Sequence, residues 1–172
     1  MSVKSYLSKF LLKRVSGIKA DSGSRDFLFE KKLKTLLIIL PEKDPLEILM
    51  TKLSHNARSL FTKTDFLILK NHAEVKGIKG ATILSSDDLK YNGRFKKKDF
   101  SLNLDKDYDI VINFSGNEDP TLELFILSIP TSMRIRFDRD NEKFYNFIVP
   151  IENKDIHTRF EHFLKVYQTL KK

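Results

Sequence analysis

Cysteine and tryptophan are both absent from this chain. Without cysteine there are no disulfides, no thiolate metal ligands and no thiol nucleophile, a composition that suits a reducing compartment. No apolar run approaches the roughly 20 residues that span a bilayer. Nor does the N-terminus have the form of a signal peptide, because Lys9, Lys13 and Arg14 interrupt each apolar stretch before it reaches the needed length. The expectation from these exclusions is a cytoplasmic protein.

Catalytic signatures are missing as well. There is no G-x-G-x-x-G, no Walker lysine loop and no G-x-S-x-G elbow. The four histidines, His55, His72, His157 and His162, do not share metal-ligand spacing. On one helix His157 and His162 would lie about 140° apart. The acids of Asp87-Asp88 and of Asp105 to Asp109 fall in turn-rich stretches, where Asp is common for conformational reasons. No catalytic residue, cofactor site or metal site is nominated, so the expectation is a non-enzymatic protein without a cofactor.

What is present is enough for one core. The 172 residues are 41% hydrophobic and 31% charged, with 14 Phe. That suits a single globular domain with a well-solvated surface. The formal charge is +8, and it is unevenly placed. Residues 1–34 hold nine Lys or Arg against three acids, which accounts for six of the eight excess charges. A nearly neutral body behind a cationic leading segment points to a polyanionic partner: RNA, DNA or anionic lipid. The same charge would also serve solubility alone.

Residues 2–16 have helical spacing, with Tyr6, Leu7, Phe10, Leu11 and Val15 on one stripe and Gly17 as the stop. This basic amphipathic helix packs its apolar face on the domain, lies on a membrane surface, or lays its lysines on RNA phosphates. Residues 19–26 are a linker by composition. The expected division is therefore a helix and linker over 1–26 and a single α/β domain over 27–172.

Within that domain, Thr35 to Leu40 is a continuous aliphatic run, the pattern of a strand buried on both faces. Asp44-Pro45 suggests an N-cap with proline at the first helical position. Leu46, Leu49, Met50, Leu53, Ala57 and Leu60 then follow at helical spacing, before a second strand over Thr64 to Leu69. Ala81 to Leu84 is a candidate short strand, and Asn92-Gly93 a hairpin turn. Tyr108 to Asn113 is a buried strand ending in the polar turn Ser115-Gly116-Asn117, and Asp119 caps an apolar helix that Pro130 ends. Met133 to Phe137 is a strand with Arg134 and Arg136 on one side. Phe144 to Val149 is another strand. Asn153 caps a last helix bearing Ile156, Phe160, Phe163, Leu164, Tyr167 and Leu170. The sum is a Rossmann-like three-layer α/β/α sandwich with a mostly parallel sheet.

In such folds ligands bind beyond the carboxyl ends of the strands. Here those ends are Leu40 to Asp44, Lys70-Asn71-His72 and Ser115 to Asn117. The last has backbone N–H groups near a helix start, though a lone glycine is more simply an ordinary turn. Lys96-Lys97-Lys98 between Phe95 and Phe100 forms a second basic cluster. Interleaved rings and cations suit single-stranded nucleic acid, while a solvated loop with two buried phenylalanines explains the same residues.

Two resemblances follow from these stretches. Tyr108 to Asn117, the apolar helix after it and Arg134-Ile135-Arg136-Phe137 resemble the N-terminal domain of heptosyltransferases. The Gly-Asp turn after that family's first strand is replaced here by Pro41-Glu42-Lys43-Asp44, and the length leaves no room for a nucleotide-sugar domain. The resemblance thus implies a remnant, ligand-binding domain and not active transfer. Over nearly its whole length the chain is similar to a family of small uncharacterised proteins from Bacteroidetes, which implies a Rossmann-like domain of unknown function. The leading expectation is an RNA-binding or ribosome-associated module. Lys4, Lys9, Lys13, Arg14, Lys31 and Lys32 would contact phosphates, with Lys96, Lys97 and Lys98 as a second patch. An anionic membrane surface or a protein partner is the alternative.

Overall fold

The aliphatic runs become the strands of one sheet. The computed structural model describes residues 7–11, 34–42, 45–70, 78–92, 94–96, 107–116, 119–137, 145, 147–149 and 155–170. Strand β1 (Thr35–Pro41) leads through helix α1 (Leu46–Ala57) to β2 (Lys63–Lys70) and then β3 (Ala81–Ser85). Strand β4 (Tyr108–Asn113) leads through helix α2 (Pro120–Ser128) to β5 (Thr131–Arg136), β6 (Phe147–Ile148) and helix α3 (Ile156–Leu170). The order across the sheet is β3-β2-β1-β4-β5-β6, and all five pairings are parallel. The chain is a Rossmann-like α/β fold, as expected.

This order places β1 between β2 and β4, so the direction of winding reverses there. Right-handed crossovers that run outward in opposite directions must cover opposite faces. One face carries Leu36, Ile38, Leu40, Ile110, Ile112 and Ile135 against Met50 and Leu53 of α1 and Phe160, Phe163 and Tyr167 of α3. The other carries Leu37, Ile39, Leu67 and Val111 against Leu122, Phe125 and Ile126 of α2. Alternate residues of β1 thus enter different cores, which is why its apolar run has no polar break.

Local signals differ in how well they place the ends. Asp119 caps α2, its Oδ1 accepting from Thr121 N–H at 2.7 Å with Pro120 at the first helical position. At α1 the cap expectation fails: Pro45 itself is the N-cap, without a side-chain hydrogen bond, and Asp44 lies outside the described residues. For α3 the capping bonds come from Asp155, which accepts from Thr158 N–H at 3.0 Å and Thr158 Oγ1 at 2.7 Å. Asn153 lies outside the described residues. Strand β6 is only two residues long where six were expected, and Phe144 and Asn146 are likewise outside.

Of the expected N-terminal stripe only Leu7, Phe10 and Leu11 lie within the described residues. Residues 7–11 are helical, but the buried residue is Ser8, at 0% exposure. Leu7 is 37% and Phe10 51% exposed. Polar pairing decides this: Ser8 Oγ donates to the Tyr91 carbonyl at 2.8 Å and lies 2.9 Å from Thr121 Oγ1 of α2. The rest of the expected helix and the linker over 19–26 lie outside the described residues.

Candidate nucleic-acid interface

Two polar regions stand out, and they differ in kind. The first is internal, at the carboxyl ends of β4 and β5. Asn113, Glu123, Arg136 and Tyr145 are all buried, and Asn113 and Arg136 are partners in the sheet register. Asn113 Nδ2 donates to Tyr145 Oη at 2.9 Å, and Tyr145 Oη donates to Glu123 Oε1 at 3.1 Å. Asn113 Oδ1 accepts from Ser115 N–H and Oγ at 2.9 and 2.6 Å. Arg136 Nη1 lies 3.6 Å from Glu123 Oε1, and the guanidinium sits 5.5 Å from the Tyr145 ring centroid. Burial, and next the Glu123 charge, push the Tyr145 phenol far above its ordinary value. Arg134, on the same side of β5, donates through Nη2 to the carbonyls of Leu127 and Ile129 at 3.2 and 3.0 Å, closing the end of α2.

These groups bond to one another and tie α2, β4 and β5 together. The network borders the β1/β4 switch point, where this fold class places ligands. Gly116, at φ 53°, makes the left-handed turn beyond β4. Of the other strand-end residues singled out, Lys43, Asp44, Asn71, His72 and Asn117 lie outside the described residues. A cleft of about 210 Å³ lies elsewhere, lined by Asp65, Gly80, Thr82 and Tyr108 near the amino ends of the strands.

The second region is external, at the turn that carries Lys90, Tyr91 and Arg94. Leu89 and Phe95 form an isolated antiparallel bridge, and Lys90 N–H donates to the Arg94 carbonyl at 2.7 Å. This small turn is anchored inward. Leu89 is buried, and Phe95 packs edge-on to Phe125 of α2 with centroids 5.3 Å apart. Its outward residues are Lys90, Tyr91, Arg94 and Lys96, all exposed. Ser8 bonds the Tyr91 carbonyl, so the short helical stretch that carries exposed Lys9 is tied to this turn. Among the described residues none of these four cations forms a salt bridge.

Of the nine basic residues singled out, the structure therefore brings Lys9 and Lys96 onto connected segments. Lys4, Lys13, Arg14, Lys31, Lys32, Lys97 and Lys98 lie outside the described residues. Phe95 is not available for stacking, because it is turned into the core. Tyr91, 49% exposed, is the ring this surface presents. Sequence reasoning passed over Lys90, Tyr91 and Arg94, although their position around Asn92-Gly93 was a usable signal, since hairpin tips face solvent. Nothing local pointed to Ser8. The internal network was also missed, and its signal was Glu123 inside an otherwise apolar helix.

Among the histidines, His55 and His162 are exposed and His157 is partly buried, 3.2 Å from Asn56 Nδ2 and 3.6 Å from Glu161 Oε1. No group of three or more His, Cys, Asp or Glu able to hold a metal occurs among the described residues. Nor, among those residues, is any helix long and apolar enough to cross a membrane.

A family model spans residues 2–170, nearly the whole chain. The chain belongs to DUF6913, a family of unknown function. No curated protein and no solved structure matches it. Membership in DUF6913 agrees with the whole-length similarity to uncharacterised proteins and carries no assigned site.

Proposed function

We propose that this DUF6913 protein is a non-enzymatic, cytoplasmic RNA-binding module that acts in or near the ribosome through its cationic N-terminal segment. The observation that carries this is the charge distribution: six of the eight excess positive charges lie in residues 1–34. The link from Ser8 to Tyr91 supports it, since it ties the helical stretch bearing Lys9 to the turn bearing Lys90, Arg94 and Lys96. Lysines on phosphates release counterions, so affinity depends on salt more than on base sequence. The test is retention of mixed-sequence RNA across a salt series. Binding should fall steeply with salt and discriminate little among sequences. Binding that is the same at low and high salt would overturn the reading.

A peripheral membrane role has one observation in its favour, the exposure of Leu7 and Phe10 on a basic helical stretch. Co-sedimentation with anionic vesicles separates it from RNA binding. A remnant glycosyltransferase-like role, with the Bacteroidetes origin and heptosyltransferase likeness inferred from sequence, draws support from the switch point beside β1 and β4. Thermal shifts with sugar nucleotides test it, because a ligand at 100 times its dissociation constant adds about 2.7 kcal/mol.

A further inference from the structure

We infer that the RNA held at this surface is single-stranded and that Tyr91 stacks on one of its bases. The inference rests on the RNA reading above and narrows it. Tyr91 sits at a turn whose other large apolar residues, Leu89 and Phe95, face inward. Its carbonyl is held by Ser8 Oγ at 2.8 Å. The backbone carrying the ring is therefore fastened on two sides while the side chain stays half exposed. A ring on a fastened backbone loses less freedom on binding than one on a loose loop.

The surroundings match an unpaired strand. Lys90 precedes Tyr91, and Arg94 and Lys96 follow it, all exposed; the stretch carrying exposed Lys9 is tied to the turn through Ser8. Phosphates and bases alternate along a single strand, and here cations and a ring alternate in the same way. In a duplex every base face is already stacked, so Tyr91 would add nothing there. RNA duplexes are instead read through backbone shape and 2′-hydroxyls. A membrane-lying surface calls for apolar and basic groups on separate faces. On this turn Leu89 and Phe95 pack inward on the protein itself, and what faces out is one ring among cations.

The experiment uses the full chain, a labelled oligo(A) strand and an RNA duplex of equal length, with fluorescence anisotropy at fixed low salt. The strand should bind more tightly than the duplex. Tyr91→Ala should weaken strand binding about tenfold, within the range for loss of one stacked base, and leave duplex binding unchanged. Tyr91→Phe, which keeps the ring, should bind the strand like the parent. The chain has no tryptophan, so Tyr91→Trp supplies a unique fluorophore. Its emission should change with the strand and not with the duplex. Equal affinities for strand and duplex, with Tyr91→Ala silent and the salt dependence kept, would overturn the stacking inference and leave the RNA reading standing. Capture by anionic vesicles with neither RNA retained would overturn both. Thermal melts of each variant show that any loss arises in a folded protein.

Discussion

Arg136 and Arg94 are the same residue type in opposite circumstances. Arg136 is 3% exposed and faces Glu123 across 3.6 Å, inside a network with Tyr145 and Asn113. Arg94 is exposed on a turn and forms no salt bridge among the described residues. A buried charge cannot exist without partners, because leaving water costs several kcal/mol. An exposed charge keeps its hydration and remains available to an incoming anion. Formal charge alone does not say which cations hold the fold and which face outward; burial decides.

The comparison can be broken most sharply at its buried half. Arg136→Ala removes the cation 3.6 Å from the buried Glu123 carboxylate and should cost about 3–5 kcal/mol in urea denaturation. Arg94→Ala should change stability by less than about 0.5 kcal/mol. Equal costs would show that burial does not separate the two.

Alkaline titration is the next test of the interior. Burial, followed by the bond to Asp65 for Tyr108 and the Glu123 charge for Tyr145, raises both phenols above their ordinary value of 10.0. Above pH 10 the unfolded chain therefore gives up protons that the folded chain keeps. Their contribution to stability is complete below that pH and is lost as pH rises beyond it. The urea midpoint should stay level to about pH 10 and then decline, and Tyr108→Phe should make the decline shallower. A midpoint that rises above that pH would reverse the sign.

Smaller effects separate packing from capping and surface charge. Asp119→Ala removes the bond to Thr121 N–H and should cost about 1 kcal/mol, read from the same denaturation curves. Replacing Lys9, Lys90, Arg94 and Lys96 together with Gln should leave the melting curve nearly unmoved. It should flatten the plot of log affinity against log salt by about 0.7 for each phosphate no longer neutralised. An unchanged slope would place the RNA-binding cations elsewhere on the chain.

Much of the architecture was legible because it is written in local patterns. The apolar run Thr35 to Leu40 announced a strand buried on both faces, and β1 lies in the centre of the sheet. Asp119-Pro120 announced the start of α2, and the stripe through Phe160, Phe163 and Tyr167 announced the buried side of α3. The candidate surface was only half legible. Lys96 lies in the basic cluster that the sequence shows, and of the two readings of Phe95, a stacking ring or a buried phenylalanine, its packing on Phe125 favours the second. Tyr91, one side of a hairpin turn from it, is the exposed ring.

Taken alone, the chain's residues announced most of the described strands and helices, because periodicity and end signals act between near neighbours. Only tertiary structure decided that Ser8, and not Phe10, turns inward. That depends on Tyr91 and Thr121, which are 83 and 113 residues away. The same is true of Arg136 meeting Glu123 and of β1 lying beside β4. A side chain's task is set by what surrounds it in space, and local spacing carries no record of partners so far along the chain.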